Sequence, residues 1–380
     1  MYFCVMNIPK IGFLGGGQLG RMLLQECINY QVNISFLDPD PEAPCSFIGK
    51  DFYVGDYKNF DTVYNFGKKF DIVSIEIEHV NIDALEKLEK EGITIIPSPA
   101  NLRIIQNKRL QKEFYKHHNI PSSEFVVCDN KAEIQKHYHM FPVFQKLETE
   151  GYDGKGVYHI KDLNSIESAF DKPSILEKKI PIAKEIAVMI AGDLAGNYTF
   201  FPPVEMVFDS KLNLLDYLIC PAEISEELSK QCIDLAIKTA KAFNIKGLLA
   251  VELFIDQEGN VLVNEVAPRA HNSGHHTIEA CYTSQFEQQL RILLGLPLGD
   301  TSIIKPGLMY NLIGAPEHQG PMKIIGLDKV NSDKTYVHLY GKSTTKPGRK
   351  MGHITLIDEN IDLLKSRIES IKAHVKIIST

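Results

Sequence analysis

The amino-acid sequence predicts a mixed α/β and α+β protein that is built from several domains. Its 380 residues exceed the size of one small domain, so about two to four compact units are expected. Residues 1–100 alternate short apolar runs with helical patterns, which is typical of a parallel sheet covered by helices. From about residue 184 the apolar runs are longer and lie close together, which predicts antiparallel strands.

Changes of pattern along the chain divide it into predicted units. Pro97 and Pro99 end the first unit, because neither suits the interior of a helix. A charged helical stretch then leads into short strands around a glycine cluster, and the last part alternates strands before a closing helix. The predicted units are residues 1–100, 101–180, 181–300 and 301–380.

Two helices are predicted among the strands of the third unit. Ser225 is a favourable N-cap for the first, and Leu228, Cys232 and Leu235 give it one apolar face. The second is predicted to run from about residue 277 to residue 294.

Composition and charge exclude several classes of protein. The chain is 44% hydrophobic and 23% charged, as in an ordinary globular protein. Its net charge of −7 argues against nucleic acid as an obligate partner. The seven cysteines are scattered and contain no CxxC pair, which predicts reduced thiols. Neither an export signal nor an apolar run of about 18 residues is present, so we expect a cytoplasmic protein without membrane contact.

An acidic hairpin is the first candidate site. The apolar segments LLAVELFID and VLVNEVA flank the short turn QEGN, which predicts two paired strands. A symmetric turn places Asp256 opposite Val261 and Glu252 opposite Glu265. Like charges directly opposite each other destabilise a sheet, so the two glutamates need a cation. Magnesium suits such a site, because it binds one or two carboxylates together with substrate phosphates.

Two other interpretations of this hairpin stay open. A bulge that shifts the register would turn one glutamate to solvent. Alternatively, His271, His275 and His276 follow closely and could join the glutamates in a zinc or iron site, although nothing places them on the same face.

Two glycine-rich loops are candidate anion sites. GYDGKG at 151–156 lies between strands and lacks the pattern of a P-loop, but its amides, with Lys155 and Lys146, could still cover phosphates. An ordinary tight turn is the alternative. The segment 15–20 reads G-x-G-x-x-G between a strand and a helix, with Asp38 after the next strand. This arrangement makes a nicotinamide-dependent dehydrogenase the rival from another class. In either case a helix N-terminus flanked by glycines favours an anionic or polar ligand.

Together these segments resemble the ATP-grasp superfamily, and within it the 5-(carboxyamino)imidazole ribonucleotide synthases of purine biosynthesis. The likeness runs in order along nearly the whole chain, and the run NEVAPRAHNSGHHTIEAC is its most specific part. The matching segments are GGGQLGRM (15–22), EIEHV (76–80), GYDGKG (151–156), VELF (251–254), NEVAPRAHNSGHHTIEAC (264–281) and YGKSTTKPGRKMGH (340–353).

This resemblance implies a fold and an activity. The implied fold is an ATP-grasp fold with an N-terminal Rossmann-like domain that binds ribonucleotide, a small lid, a larger ATP-grasp subdomain and a small C-terminal domain, in a homodimer. The implied reaction is the carboxylation of 5-aminoimidazole ribonucleotide with ATP, Mg²⁺ and bicarbonate, through carboxyphosphate. Another ATP-grasp ligase, such as a formate-dependent glycinamide ribonucleotide transformylase, is the nearest alternative.

The resemblance also implies site residues, which we group by ligand. ATP is expected to contact Lys108, Lys146, Gly151, Tyr152, Asp153, Gly154, Lys155, Gly156, Val157, Glu177, Lys178, Lys179, Ile180, Glu185, Asn264 and Glu265. Magnesium is expected to bind Glu252 and Glu265. The ribonucleotide and the bicarbonate-derived group are expected to contact Gln18, Leu19, Glu76, Arg269, His271, Lys342, Arg349 and Lys350, the last three at the 5′-phosphate.

A catalytic group is implied around the same ligands. It comprises Arg269, which would stabilise carboxyphosphate, together with Tyr152, Asp153 and His271. Either Asp153 or His271 could accept the amine proton, and the sequence does not choose between them. Four positions depart from the usual family pattern, namely His79 for Asn, Lys108 for Arg, Phe208 for His and Ala270 for Pro.

Overall fold

The computed structural model describes residues 8–149, 156–209, 214–330 and 333–380. Within these ranges the strands form sheets of five, four, nine and three members. No helix in the described ranges combines the length and the apolar character needed to cross a membrane. The mixed α/β and α+β class predicted from the sequence is confirmed.

The N-terminal region is a parallel sheet covered by helices, as predicted. Hydrogen bonding gives the strand order β3-β2-β1-β4-β5, with every pair parallel. The carboxyl ends of the central strands β1 and β4 therefore lie side by side. The elements are β1 (Ile11–Leu14), α1 (Gln18–Tyr30), β2 (Ile34–Asp38), β3 (Asp51–Val54), α2 (Phe60–Gly67), β4 (Ile72–Ile75), α3 (Ile82–Lys90), β5 (Thr94–Ile96) and α4 (Pro99–Ile105).

A small antiparallel sheet with one long helix follows. Its strand order is β6-β9-β7-β8, and α5 packs against β9. Asn107 caps α5, because its side chain accepts a hydrogen bond from the amide of Leu110. The elements are α5 (Lys108–His117), β6 (Phe125–Cys128), α6 (Lys131–Ile134), β7 (Val143–Leu147), β8 (Val157–Ile160) and β9 (Ser174–Lys178).

A nine-stranded antiparallel sheet dominates the rest of the chain. Its order is β15-β14-β10-β12-β13-β16-β20-β18, with β11 paired to β10, and so it contains strands from both sides of residue 300. The elements of its first part are β10 (Ile182–Gly192), β11 (Tyr198–Phe200), β12 (Val204–Phe208), β13 (Leu215–Cys220), α7 (Glu226–Ala242), β14 (Gly247–Asp256), β15 (Val261–Ala267), α8 (Thr277–Ala280) and α9 (Gln285–Leu293).

The C-terminal region completes this sheet and adds a small one of order β19-β17-β21. Helix α10 packs on β16, so the end of the chain covers one face of the large sheet. The elements are β16 (Gly307–Ile313), β17 (Gly320–Ile325), β18 (Thr335–Leu339), β19 (Thr344–Thr345), β20 (Lys350–Ile357), α10 (Ile361–His374) and β21 (Lys376–Ser379).

One predicted helix is confirmed and the other is wrong. Ser225 caps α7, since its hydroxyl accepts from the amide of Leu228. The single helix predicted for residues 277–294 is instead the two helices α8 and α9. The break has a local cause, because Cys281 pairs with Ile303 as an isolated bridge and Ser284 caps α9 through the amide of Glu287.

Candidate active site

The acidic hairpin has the predicted glutamate pair, because Glu252 on β14 lies directly opposite Glu265 on β15. The turn itself has a different register from the predicted one. Val261 pairs with Ile255, and the amide of Asp256 bonds the carbonyl of Asn260, so the predicted pairing of Asp256 with Val261 is wrong.

A β-bulge at Asn264 reconciles the two registers. Leu253 pairs with Val263 and Glu252 pairs with Glu265, which leaves Asn264 as the extra residue on β15. The bulge therefore restores the opposition of the glutamates. It also directs the amide of Asn264 towards Lys146, with Oδ1 at 3.5 Å from Nζ.

The two carboxylates experience opposite electrostatic environments. Burial, followed by the charges of Glu265 and Glu185, raises the pKa of Glu252. The ammonium of Lys108 lies 2.6 Å from Oε2 of Glu265, and its charge holds the pKa of that carboxyl below its usual range. Burial opposes the charge of Lys108, but the nearby carboxylates, with Glu265 foremost, raise its pKa overall.

Glu252 has no such partner among the described residues, where no lysine or arginine forms a salt bridge with it. Its neighbour at 3.5 Å is Nε2 of His271, whose pKa is lowered to about 3 by burial and by the charges of Arg269 and Lys350. The imidazole is therefore neutral at pH 7 and adds no charge. Nδ1 of this ring accepts from the amide of Ser273, which fixes its orientation.

These oxygen donors fit magnesium. Two facing carboxylates are ligands that Mg²⁺ takes alongside phosphate oxygens. The zinc or iron alternative is not supported, because the described ranges contain no group of three His, Cys, Asp or Glu side chains that could hold a metal ion. His275 and His276 are buried instead, against Gln285 and the carbonyl of Ser273.

A buried carboxylate and three donor groups lie beside the hairpin. Oε2 of Glu177 on β9 is 3.1 Å from Nζ of Lys146 on β7 and 2.7 Å from Oγ of Ser123. Nζ of Lys112 on α5 is 3.6 Å from the same oxygen. Burial opposes the ionised form of Glu177, but the charges of Lys146 and Lys112 keep its pKa below the usual value. Lys112 and Ser123 were not predicted from the sequence.

Other predicted ATP residues lie on the strands that flank the glycine loop and on β10. Gly156, with a φ of 73°, and Val157 lead into β8, which pairs with β7 as the predicted strand–glycine loop–strand requires. Glu185 on β10 is close enough to Glu252 for its charge to raise the pKa there. Lys178 forms a salt bridge with Glu124, and Lys179 and Ile180 follow the end of β9. The remaining predicted residues lie outside the described residues; they are Gly151, Tyr152, Asp153, Gly154 and Lys155.

The glycine loop after β1 binds an anion that belongs to the protein itself. The carboxylate of Glu76, which follows β4, accepts hydrogen bonds from the amides of Gly17 at 2.6 Å, Leu19 at 3.1 Å and Gly20 at 3.2 Å. A Cβ atom at Gly17 would lie 2.5 Å from Oε1 of Glu76, so the loop needs glycine to admit this carboxylate.

Asp38 completes this arrangement by accepting from the amide of Gly16 at 2.8 Å. Both carboxylates therefore accept hydrogen bonds from backbone amides of the loop and stabilise its conformation. A dinucleotide pyrophosphate would compete with Glu76 for the helix N-terminus, which argues against the dehydrogenase rival.

Hydrogen bonds join three of the predicted ribonucleotide residues, Gln18, Lys342 and Lys350. Nζ of Lys342 lies 2.6 Å from Oε1 of Gln18 and 2.7 Å from the carbonyl of Lys350, which joins α1 to the start of β20. Arg349 lies apart, because its guanidinium donates to the carbonyl and hydroxyl of Thr344.

Arg269 reaches the N-terminal sheet, with Nε at 2.8 Å from Oε1 of Glu78. Glu78 lies in the EIEHV segment but was not itself predicted as a site residue. The carbonyl of Glu78 accepts from the side chain of Gln106, the C-cap residue of α4, which also fixes this loop. The departing residue His79 lies in the same loop, and burial lowers its pKa.

Three protein-family models match consecutive parts of the chain. Residues 8–106 match the ribonucleotide synthetase preATP-grasp domain, residues 113–286 the ATP-grasp domain, and residues 307–367 the phosphoribosylaminoimidazole carboxylase C-terminal domain. The N5-carboxyaminoimidazole ribonucleotide synthase of Bacillus subtilis is 33% identical over 359 residues, which are 93% of this chain and 92% of the relative. The chain belongs to the N5-carboxyaminoimidazole ribonucleotide synthase family. The ATP-grasp fold and the family predicted from the sequence are thus confirmed.

Solved structures of the same family superpose over nearly the whole chain. The N5-carboxyaminoimidazole ribonucleotide synthetase of Thermotoga maritima has a TM-score of 0.90 and 36% identity, covering 98% of this chain and 100% of that one. The Aspergillus clavatus N5-carboxyaminoimidazole synthase in complex with ADP and 5-aminoimidazole ribonucleotide has a TM-score of 0.87 and 32% identity, covering 97% and 99%.

Some relatives in the family are longer. The chloroplastic phosphoribosylaminoimidazole carboxylase of Vigna aconitifolia is 35% identical over 371 residues, which are 94% of this chain but 66% of that protein. This chain therefore spans about two thirds of the length of such carboxylases.

Proposed function

We propose that the chain is an ATP-dependent carbon–nitrogen ligase that carboxylates 5-aminoimidazole ribonucleotide to N5-carboxyaminoimidazole ribonucleotide in purine biosynthesis. The observation that carries the proposal is the facing pair Glu252 and Glu265 with Lys108 and Lys146 beside it, in a chain of this family. The Aspergillus clavatus relative in complex with ADP and 5-aminoimidazole ribonucleotide supports the substrates.

The proposed reaction balances in two steps. A bicarbonate oxygen attacks the γ-phosphorus of ATP, which gives carboxyphosphate and ADP. Carboxyphosphate releases phosphate, and the exocyclic amine of the ribonucleotide forms a bond to the carboxyl carbon and loses one proton. The carboxyphosphate step is part of the proposal, as is the identity of bicarbonate as the carbon donor.

Charge neutralisation is the main task of the protein groups in this scheme. Magnesium held by Glu252 and Glu265 would lower the charge of the phosphates when bound. Lys108, which pairs with Glu265, and Lys146, which lies 3.5 Å from Oδ1 of Asn264, would bind phosphate oxygens. Arg269, fixed by Glu78, would face the developing carboxyphosphate.

Of the two candidate proton acceptors, we propose Asp153. Both ring nitrogens of His271 have defined neighbours, Nδ1 the amide of Ser273 and Nε2 the carboxylate of Glu252. This geometry suits a residue that orients Glu252. Asp153, which is outside the described residues, stays a prediction from the family resemblance, as do the roles of Tyr152 and Lys155.

The N-terminal sheet would bind the ribonucleotide rather than a dinucleotide. Glu76 fills the helix N-terminus of the glycine loop, and Gln18 in the first turn of that helix contacts Lys342. We propose that Lys342, Lys350 and Arg349 hold the 5′-phosphate, with Arg349 leaving Thr344 to do so.

The test measures phosphate release and transfer of ¹³C from labelled bicarbonate, with ATP, bicarbonate and ribonucleotide omitted in turn. We expect turnover only with all three present, and a carbamate signal in the product. Phosphate release that does not depend on the ribonucleotide would refute the substrate. Turnover with formate and glycinamide ribonucleotide instead would favour the alternative ATP-grasp ligase.

Two further properties are proposals of the same kind. A homodimer is expected from the family resemblance, and sedimentation of the full chain tests it. A cytoplasmic location agrees with the six described cysteines, all of them buried and unpaired, whereas one relative is chloroplastic.

A further inference from the structure

Helix α5 carries two lysines with different surroundings. Lys108 and Lys112 are one turn apart, so their side chains leave the same face of the helix. The side chain of Lys108 is 22% exposed and its partner Glu265 is 43% exposed, whereas those of Lys112 and Glu177 are 2% and 7% exposed. The first pair can exchange partners with a ligand in solution, but the second is enclosed by protein.

Enclosing an ammonium group is costly unless polar partners replace its water. Lys112 has three such partners, the hydroxyl of Ser123 at 2.7 Å, the carbonyl of Ser123 at 3.4 Å and the carboxylate of Glu177 at 3.6 Å. Burial nevertheless lowers the pKa of Lys112 to about 8. The sequence therefore retains a cation at a position where an apolar side chain would be easier to accommodate.

The partners of Lys112 lead directly to the proposed phosphate-binding lysine. The hydroxyl of Ser123 accepts from Lys112 and donates to Oε2 of Glu177 at 2.7 Å. The same oxygen is 3.1 Å from Nζ of Lys146. Lys146 thus lies between Glu177 in the interior and Asn264 on the hairpin at 3.5 Å.

We propose that Lys112 and Ser123 are positioning residues, which hold the carboxylate of Glu177 and thereby set the place of the Lys146 ammonium for the phosphates of ATP. This inference rests on the proposed function, in which Lys146 binds those phosphates. Among the described residues, Lys112 and Lys146 share the charge of Glu177, so Lys146 is held weakly enough to serve a ligand as well. Without Lys112 the whole carboxylate charge acts on Lys146 and draws it towards the interior.

The charge of Lys112 is the property to test. The charged groups facing it are Glu177 from β9, Lys146 from β7 and Lys108 from its own helix, and the ring of Phe125 lies 5.9 Å away. Since Lys112 loses its proton near pH 8, we expect the Kd for ADP to rise between about pH 7 and pH 9. The variant K112R keeps its charge throughout this range, so its Kd should not follow that rise.

Three further variants separate positioning from stability. We expect S123A to weaken ADP binding several-fold and K112M roughly tenfold, the scale of one hydrogen bond to a charged group. S122A is the matched control, because Ser122 is adjacent and no side-chain hydrogen bond joins it to the described network. Calorimetric titration with ADP gives Kd, and the KM values for ATP and for the ribonucleotide show whether only nucleotide binding changes.

The outcomes are distinguishable. A lower thermal midpoint with unchanged Kd in both S123A and K112M would show a purely structural role and overturn the inference. If K112M does not fold, the Kd of S123A for ADP and the pH dependence of that Kd in the wild type and in K112R test the inference. If the wild type shows no turnover that depends on the ribonucleotide, the proposed function is refuted. The ADP titrations would still test the role of Lys112.

Discussion

Nζ of Lys108 and Oε2 of Glu265 form a 2.6 Å ion pair at the position where the proposed metal ligand meets the proposed phosphate site. The same carboxylate oxygen cannot serve the ammonium and a magnesium ion equally well. Lys108 must therefore give up this contact, at least in part, when Mg²⁺ binds, and its natural new partner is a phosphate oxygen.

The variant K108M should change two affinities in opposite directions. Free Mg²⁺ should bind several-fold more tightly, because no ammonium competes for Glu265. Mg·ADP should bind roughly tenfold more weakly, because one phosphate contact is lost. Calorimetric titrations with MgCl₂ and with Mg·ADP measure both, and K116M on the exposed side of the same helix is the control. A loss of both affinities would show that Lys108 does not compete with the metal.

Removal of one charge from the glutamate pair should separate stability from activity. Burial and the charge of Glu265 disfavour ionised Glu252, so E252Q relieves a repulsion and should stabilise the protein without nucleotide by about 1 kcal/mol. The same change removes a proposed metal ligand and should lower turnover at least about 100-fold.

Urea unfolding and phosphate release test the two effects of E252Q, with E258Q in the hairpin turn as the control, since Glu258 is exposed. Full activity in E252Q would remove Glu252 from the metal site. A lower stability would show that its carboxylate is favourable in the folded protein.

Glu76 should stabilise the conformation of the glycine loop after β1 and should not bind a nicotinamide cofactor. In E76Q the amides of Gly17, Leu19 and Gly20 lose a charged acceptor, and we expect a loss of about 1–3 kcal/mol in the free energy of unfolding. The variant E89Q, at an exposed position on α3, is the control.

NADH should not quench the fluorescence of the wild-type protein or change the thermal midpoint of its unfolding. Tight NADH binding would restore the dehydrogenase interpretation.

Local sequence patterns predicted the fold class and the glutamate pair, but the pair was predicted through a wrong register. Val261 pairs with Ile255 and not, as a symmetric turn predicts, with Asp256. The extra residue Asn264 cancels this shift of one residue, so that Glu252 still lies opposite Glu265. Hydrophobic alternation does not reveal this extra residue, whose side-chain oxygen lies 3.5 Å from Nζ of Lys146 on another sheet.

Two features that the sequence did not predict, the contact of Glu76 with the glycine loop and the burial of Lys112, share a physical reason. Glu76 reaches the glycine loop only because β1 and β4 are neighbours in the sheet, although 57 residues separate it from Leu19. Lys112 belongs to a charged helical stretch that is typical of a solvated face, and its burial follows from the packing of α5 on β9. A stretch of sequence that predicts a helix does not specify which of its lysines the next sheet will cover.

Acid should destabilise the folded protein through His276, which is 1% exposed. Burial lowers the pKa of this imidazole to about 4 from its ordinary value of 6.5. Between these pH values the unfolded chain binds a proton that the folded chain does not. The contribution of His276 to the free energy of unfolding is therefore fully present above about pH 6.5 and is lost as the pH decreases to about 4. The contribution amounts to roughly 3 kcal/mol, at about 1.36 kcal/mol per pKa unit.

His275 and His353 are also buried with lowered pKa values, so the share of His276 must be obtained by difference. Urea unfolding at pH 4.5 to 7.5 should show a flatter pH dependence for H276F than for the wild type, since no proton is taken up there on unfolding. H139Q at an exposed histidine should retain the wild-type slope. An H276F slope equal to that of the wild type would mean that His276 titrates alike in the folded and unfolded chain, and the acid sensitivity would then have to originate elsewhere.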